Sequence, residues 1–161
     1  MRREDSDSGR RLAYRRQDSG QTLAEGLDEY YAANLGVVTR PSDLPPESAA
    51  LFRNHDICHV IFGLDTTIAD EAMADSRTLM SCDVGMRRYL AYLAQDSQAK
   101  AVFKAAGYGR TAWITLLTMP RICRAALEAF RMRRRWPWTP PDSFQGRTLA
   151  DLRREFGIRV I

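Results

Sequence analysis

The chain carries only two histidines, His55 and His59, and they stand four residues apart. On a helix, positions i and i+4 are neighbours about 5–6 Å apart at Cβ. Two imidazoles at that spacing can converge on one cation, as in other helical zinc sites. In the segment from Leu51 to Phe62, a turn of about 100° per residue puts Leu51, Phe52, His55, Cys58, His59 and Phe62 on one broad stripe. That stripe is the core-facing side, so both imidazoles are expected to point inward. Asp56 falls at the edge of the same face, as a third ligand or as the carboxylate that orients an imidazole. Cys58 could act as a soft ligand, but a small buried hydrophobe suits its apolar neighbours better.

The next helix supplies the missing acid. A reversal near Leu64 and Asp65 leaves His59 about six residues before the turn and Glu71 about six after it; at ~1.5 Å rise per residue, antiparallel packing brings both to the same height. Asp75 lies four residues further along that face, level with His55. The candidate metal ligands are therefore His55, Asp56, His59 and Glu71, with Asp75 a candidate proton relay. Asp70, beside Glu71, reads as a solvated side chain. Histidines at this spacing are often ordinary core or surface residues. Burying both with Asp56 and Glu71, without a cation or close pairing, is unfavourable and turns the argument toward a metal. The nitrogen and oxygen donors suit Zn²⁺ first, and also Fe²⁺, Mn²⁺ or Co²⁺.

Helical signals dominate the elements that must position these groups, and period-two alternation is scarce. Thr22, with Glu25 three residues on, predicts a capped helix reaching about Asn34. Pro45 and Pro46 open the motif helix and Gly63 is placed to end it. A third helix is expected from about Thr66 to Cys82, a fourth after Asp83 that includes Tyr89, Leu90, Tyr92 and Leu93, and a shorter piece over 98–106. The longest candidate, 111–135, contains Pro120, which could kink it. A Trp- and Pro-rich loop follows, then a short helix over 149–156 and an extended end. The expected architecture is an all-α, single-domain helical bundle with the metal site between two consecutive antiparallel helices.

Composition sets the limits. At 161 residues, 45% hydrophobic and 27% charged, the chain suits one globular domain. No apolar run approaches the ~20 residues of a membrane-spanning helix. Three cysteines without C-x-x-C spacing exclude a disulfide framework or an all-cysteine zinc site. The net charge of +4 is unevenly placed. Residues 1–21 hold six arginines against four acids and almost nothing apolar, which reads as a disordered tail. They lack the apolar stretch of a secretory signal, and their acids disfavour a mitochondrial presequence. Six more arginines lie between 121 and 135, against Glu128 alone. With Trp113, Ile114, Leu116, Leu117 and Met119 before them and Trp136 and Trp138 after, two readings stay open. One is a core helix with a solvated basic end; the other is an apolar lining whose Arg/Trp end rests on an anionic membrane surface. Nucleic acid is disfavoured, since no binding motif accompanies the charge.

The pattern His55-Asp56-x-x-His59, eleven residues, then Glu71 resembles the H-D-x-x-H…E signature of the Coq-four family of ubiquinone (coenzyme Q) biosynthesis proteins. The segments 27–34 and 149–158, including Leu152-Arg153 and Gly157-Ile158, resemble the family's flanking and closing helices. Asp70 stands where the family commonly has glycine. Ala74, Asp75 and Ser76 replace its basic and aromatic residues, and the chain is shorter than typical members. The resemblance implies an all-helical domain over 22–161, a divalent metal held by the motif, and an apolar channel for a polyprenyl tail. It also implies peripheral membrane contact on the cytoplasmic face of a bacterial inner membrane, and partnership with other ubiquinone biosynthesis proteins. The implied activity is metal-dependent, at C1 of a prenylated hydroxybenzoate-derived ring, where a carboxylate is lost and a hydroxyl gained. The alternatives are a non-catalytic lipid-binding scaffold with a structural metal, and a metal-dependent hydrolase of prenyl phosphates. A homo-oligomer is compatible with all three.

Overall fold

Several helix ends fall where the local sequence supplies capping chemistry. In a computed structural model that describes residues 12–85, 87–89 and 108–160, helix α1 spans Leu23–Ala33. It opens on a complete capping box: Glu25 N–H donates to Thr22 Oγ1 at 3.2 Å and Thr22 N–H donates to Glu25 Oε2 at 2.8 Å. Helix α2, Pro46–Phe62, ends at Gly63 in the left-handed conformation, φ +71°. Helix α3, Ile68–Ser81, begins with Thr67 accepting from Asp70 N–H. Helix α4, Tyr108–Arg131, continues through Pro120. Helix α5, Leu149–Phe156, is capped by Thr148 and stopped by Gly157. Among the described residues there is no strand, only isolated bridges between Thr22 and Thr148 and between Cys82 and Trp136. The protein is an all-helical single domain. No helix among the described residues is long and apolar enough to cross a membrane. The helical pieces expected at 90–93 and 98–106 lie outside the described residues.

The core forms where α1, α2, α3 and α5 turn their apolar stripes together. Leu23, Leu27 and Tyr30 of α1 recur at helical spacing and meet Ile57, Val60 and Ile61 of α2, with Leu149, Leu152 and Phe156 of α5 beside them. Gly26 permits the close approach of α1 and α2, since a Cβ there would sit 2.9 Å from Val60 Cγ1. Trp136 is fully buried against Phe144 and Phe156, and its backbone N–H donates to Ser81 O at 2.8 Å. Trp138 is buried as well. Neither tryptophan is therefore available to anchor a membrane surface: ring burial in the core takes precedence.

The expected disordered tail needs correction from residue 12 onward; residues 1–11 lie outside the described residues. Tyr14 is fully buried and donates its hydroxyl proton to Leu64 O at 2.9 Å. Arg15 pairs with Asp65 at 3.0 Å. Arg153, also fully buried, donates to the carbonyls of Tyr14 and Arg16. One aromatic anchor and a buried guanidinium order a stretch that composition alone marks as too polar to fold.

Gly157 offers a direct test of the turn after α5. Its φ is +73°, and an added Cβ would meet the Arg133 backbone nitrogen at 3.0 Å. Gly157→Ala combines left-handed strain with a contact that cannot swing away. It is expected to lower stability by about 1–3 kcal/mol in urea unfolding. An unchanged midpoint would contradict this packing.

Candidate metal centre

The turn between α2 and α3 fixes the height of the two helices and hence the site. Leu64 N–H donates to His59 O at 2.8 Å, closing α2 beyond Gly63. Thr66 Oγ1 donates to Asn34 Oδ1 at 2.7 Å, tying the turn to the end of α1. Antiparallel return along α3 then sets Glu71 opposite His59 and Asp75 opposite His55.

His55, His59 and Glu71 each bring a ligand atom into one group whose atoms lie within 4.8 Å of one another. The imidazole centroids are 4.8 Å apart, with the rings nearly perpendicular at 76°. His59 is completely buried. Its Nδ1 lies 3.0 Å from the carbonyl oxygen of Asp65. A carbonyl only accepts, so Nδ1 carries a proton and Nε2 is the nitrogen that faces the group. A hydrogen bond of this kind fixes the tautomer of metal-binding histidines. Nε2 has no hydrogen-bond partner although it is buried. It points toward Glu71 Oε2 at 3.4 Å. Two ligand atoms about 2.0–2.2 Å from a tetrahedral ion stand about 3.3–3.5 Å apart, so this pair already has the spacing zinc requires.

The carboxylates form the open side. Glu71 and Asp75 have side chains 39% and 37% exposed, whereas the imidazoles are at the floor. Three protein donors facing a solvent-accessible side leave a coordination position for water or substrate. Tyr30 stacks on His59 at 5.4 Å and 29°, closing the opposite wall. Asp75 Oδ1 lies 3.6 Å from His55 Nε2, close enough to orient that ring.

Asp56 is not brought into the group. It is buried, and its Oδ2 accepts a hydrogen bond from Tyr31 Oη at 2.8 Å. About 100° of helical rotation from His55 turns it toward α1, so it supports the motif helix from outside the cluster. Asp70 corrects a second expectation. It is buried, not solvated, and Oδ1 accepts from Arg121 Nη2 at 2.8 Å while Oδ2 accepts from Asp65 N–H at 3.3 Å. It therefore ties α4 and the α2–α3 turn to the start of α3. Cys58 is buried as expected, with Cys82 as its neighbour. No sequence motif marks the Asp65 carbonyl, whereas the adjacent pair Tyr30-Tyr31 on α1 is a signal for the tyrosines that flank the group.

Compared with family models, with curated proteins and with solved structures, the chain matches none.

Electrostatics favour the ligating form of Glu71 but hold metal-free His55 protonated, so a cation would have to displace that proton. Burial raises the pKa of Glu71, but the nearby His59 and His55 outweigh it and hold the carboxyl below its usual value. Burial alone would lower the pKa of His55; the neighbouring Asp75 carboxylate and the charge of Glu71 overcome this and raise it to about 9. Asp56 is pushed up to about 6, chiefly by burial. Without metal, His55 is thus protonated in the folded state above its ordinary value of 6.5. A raised value contributes stability fully below the unfolded pKa and loses it as pH climbs through the folded one. Metal-free protein is expected to melt lower at pH 9 than at pH 6.5, by circular dichroism. A higher melting point at pH 9 would contradict the pairing of His55 with Asp75.

Helix α4 carries the other feature that could act on a ligand. Trp113, Leu116, Leu117, Met119, Leu127 and Phe130 are exposed, Phe130 at 89%, while Thr118, Ala125 and Glu128 face inward. The apolar run is therefore not a core stripe. It forms an outward face on a helix that ends in arginines.

Proposed function

We propose that the chain binds one divalent cation, zinc first among Fe, Mn and Co, on His55, His59 and Glu71, and that it acts in ubiquinone biosynthesis as a divergent member of the Coq-four family. The observation that carries the proposal is His59: a buried imidazole with Nδ1 anchored to a carbonyl and Nε2 bare, 3.4 Å from a carboxylate. The likeness of His55-Asp56-x-x-His59…Glu71 to the family signature supports the pathway. The substrate is a prenylated hydroxybenzoate-derived ring, and the reaction is loss of the C1 carboxylate with gain of a hydroxyl.

The cation supplies charge for the head-group carboxylate and for negative charge developing on the ring. His55, His59 and Glu71 hold it, and the Asp65 carbonyl keeps His59 in the binding tautomer. Asp56 acts through Tyr31 by fixing α2 against α1. Asp75, at the open side and beside His55, is placed to accept or return a proton at the ring. Electrons removed in the hydroxylation pass to O₂ or to a partner flavoprotein.

The test uses ring substrate labelled at the carboxyl carbon, with metal-loaded protein in air. Release of labelled CO₂ by the wild type, and its loss in folded Glu71→Ala, is the expected result. Intact substrate bound tightly without release of label would instead favour a lipid-binding scaffold. Phosphate release from prenyl phosphates would favour the hydrolase.

The exposed face of α4 supports contact with an anionic membrane, because apolar side chains and arginines on one helix suit that surface. Leu117→Glu combined with Phe130→Glu is expected to cut co-sedimentation with anionic vesicles by at least about tenfold, since each change replaces an inserted apolar group by a charge that the surface repels. Undiminished binding would remove α4 from the membrane reading.

A further inference from the structure

Beside the candidate metal group lies a second pair of reactive side chains that the proposed function does not use. Cys58, on α2 between His55 and His59, and Cys82, at the end of α3, have their Sγ atoms 3.7 Å apart. Both are free thiols and both are buried, 0% and 1% exposed, while the third cysteine, Cys123, is exposed on α4. The contact is long-range in sequence, the two lying 24 positions apart. The stretch it spans contains His59, Glu71, Asp75 and the whole α2–α3 turn. Cys82 is held in place from the other side, because Trp136 N–H donates to Ser81 O at 2.8 Å and Asp83 N–H donates to Trp136 O at 3.0 Å.

We propose that Cys58 and Cys82 form a redox-active dithiol, oxidised by peroxide to an intramolecular disulfide that staples α2 to α3 beside the metal group. A disulfide needs the sulfurs at about 2.05 Å, so they must approach by about 1.7 Å. The chemistry balances with hydrogen peroxide as oxidant. One thiol sulfur attacks a peroxide oxygen, the O–O bond breaks, and a sulfenic acid and one water form. The second sulfur then attacks the sulfenic sulfur, forming the S–S bond and releasing a second water. Two thiols are oxidised and one peroxide is reduced. Peroxide is small enough to reach a buried pair through local opening, where larger disulfide oxidants are excluded.

The staple closes the chain around the loop that bears Glu71 and Asp75, and so restricts the unfolded state. It does not depend on which metal is bound, or on whether one is bound.

The test treats Cys123→Ser protein with hydrogen peroxide, then unfolds it and counts thiols with an alkylating reagent. Cys123 is exposed, so serine there leaves the fold intact. The expected result is no alkylated cysteine, a monomer mass lower by two hydrogens, and a Cys58–Cys82 linked peptide in a non-reducing digest. The oxidised protein is expected to unfold at higher urea than the reduced one. Two alkylated cysteines, or oxygen adducts on separate sulfurs, would overturn the dithiol. A lower urea midpoint for the linked form would overturn its role as a staple. Wild-type protein digested the same way supplies a check free of substitution: a linkage through Cys123 in place of Cys58–Cys82 would also overturn the proposal.

Discussion

Replacing Arg153 with methionine is expected to remove about 3–5 kcal/mol of stability, a large part of what a domain of this size possesses. Arg153 is fully buried. Its Nε donates to Ile61 O at 2.8 Å, Nη2 to Val60 O at 2.8 Å and to Tyr14 O at 2.6 Å, and Nη1 to Arg16 O at 2.5 Å. Ile61 and Val60 lie in the last turn of α2, where a helix leaves its carbonyls without intrahelical partners. A cation there also meets the negative end of the helix dipole. Burial costs the guanidinium, lowering its pKa to about 10, yet it stays protonated at neutral pH. Methionine would refill the space of the stem and leave the carbonyls bare. Each charge-assisted bond is worth about 1.5–3 kcal/mol, and bonds in one network do not add. Urea unfolding measures the loss. Faster tryptic cleavage after Arg15 and Arg16 is expected alongside it, since those residues lose their anchor. A variant within about 1 kcal/mol of the wild type would contradict the account.

The second large effect concerns the metal itself. Glu71→Gln keeps the shape of a half-exposed side chain and removes its charge, so folding is expected to be preserved. Zinc affinity is expected to fall at least about 100-fold, because a ligating carboxylate contributes more than the supporting partners whose loss costs about 10–100-fold. His59→Ala is expected to lose stoichiometric binding altogether. Asp56→Asn, whose carboxylate engages Tyr31 instead of the group, is expected to keep stoichiometric zinc with an affinity loss of no more than about tenfold. Competition against a chromophoric chelator reads all three. If Asp56→Asn lost as much as Glu71→Gln, Asp56 would have to turn inward as a ligand.

The candidate site was more legible than the fold around it. Histidine spacing and the register of the α2–α3 reversal placed His55, His59, Glu71 and Asp75 together, because both follow from helix geometry. Thr22 and Gly63 declared their helix ends for the same reason: caps are local chemistry. Asp56 and Asp70 were harder. Whether an acid one position off a face turns inward depends on what another helix offers, here Tyr31 of α1 and Arg121 of α4. Composition likewise hid Tyr14, since one buried ring among arginines scarcely changes an average. The outward apolar face of α4 was equally unreadable. A hydrophobic run declares its period but not which side the rest of the molecule will cover.

Metal content tests the central claim most directly. Protein purified without chelators or a metal-binding tag, then dialysed into metal-free buffer, is expected to retain about one divalent ion per chain by elemental analysis. His59→Ala prepared in parallel is expected to retain none. Wild-type protein that comes through without metal, and fails to take up zinc, iron, manganese or cobalt when each is offered, would contradict the account.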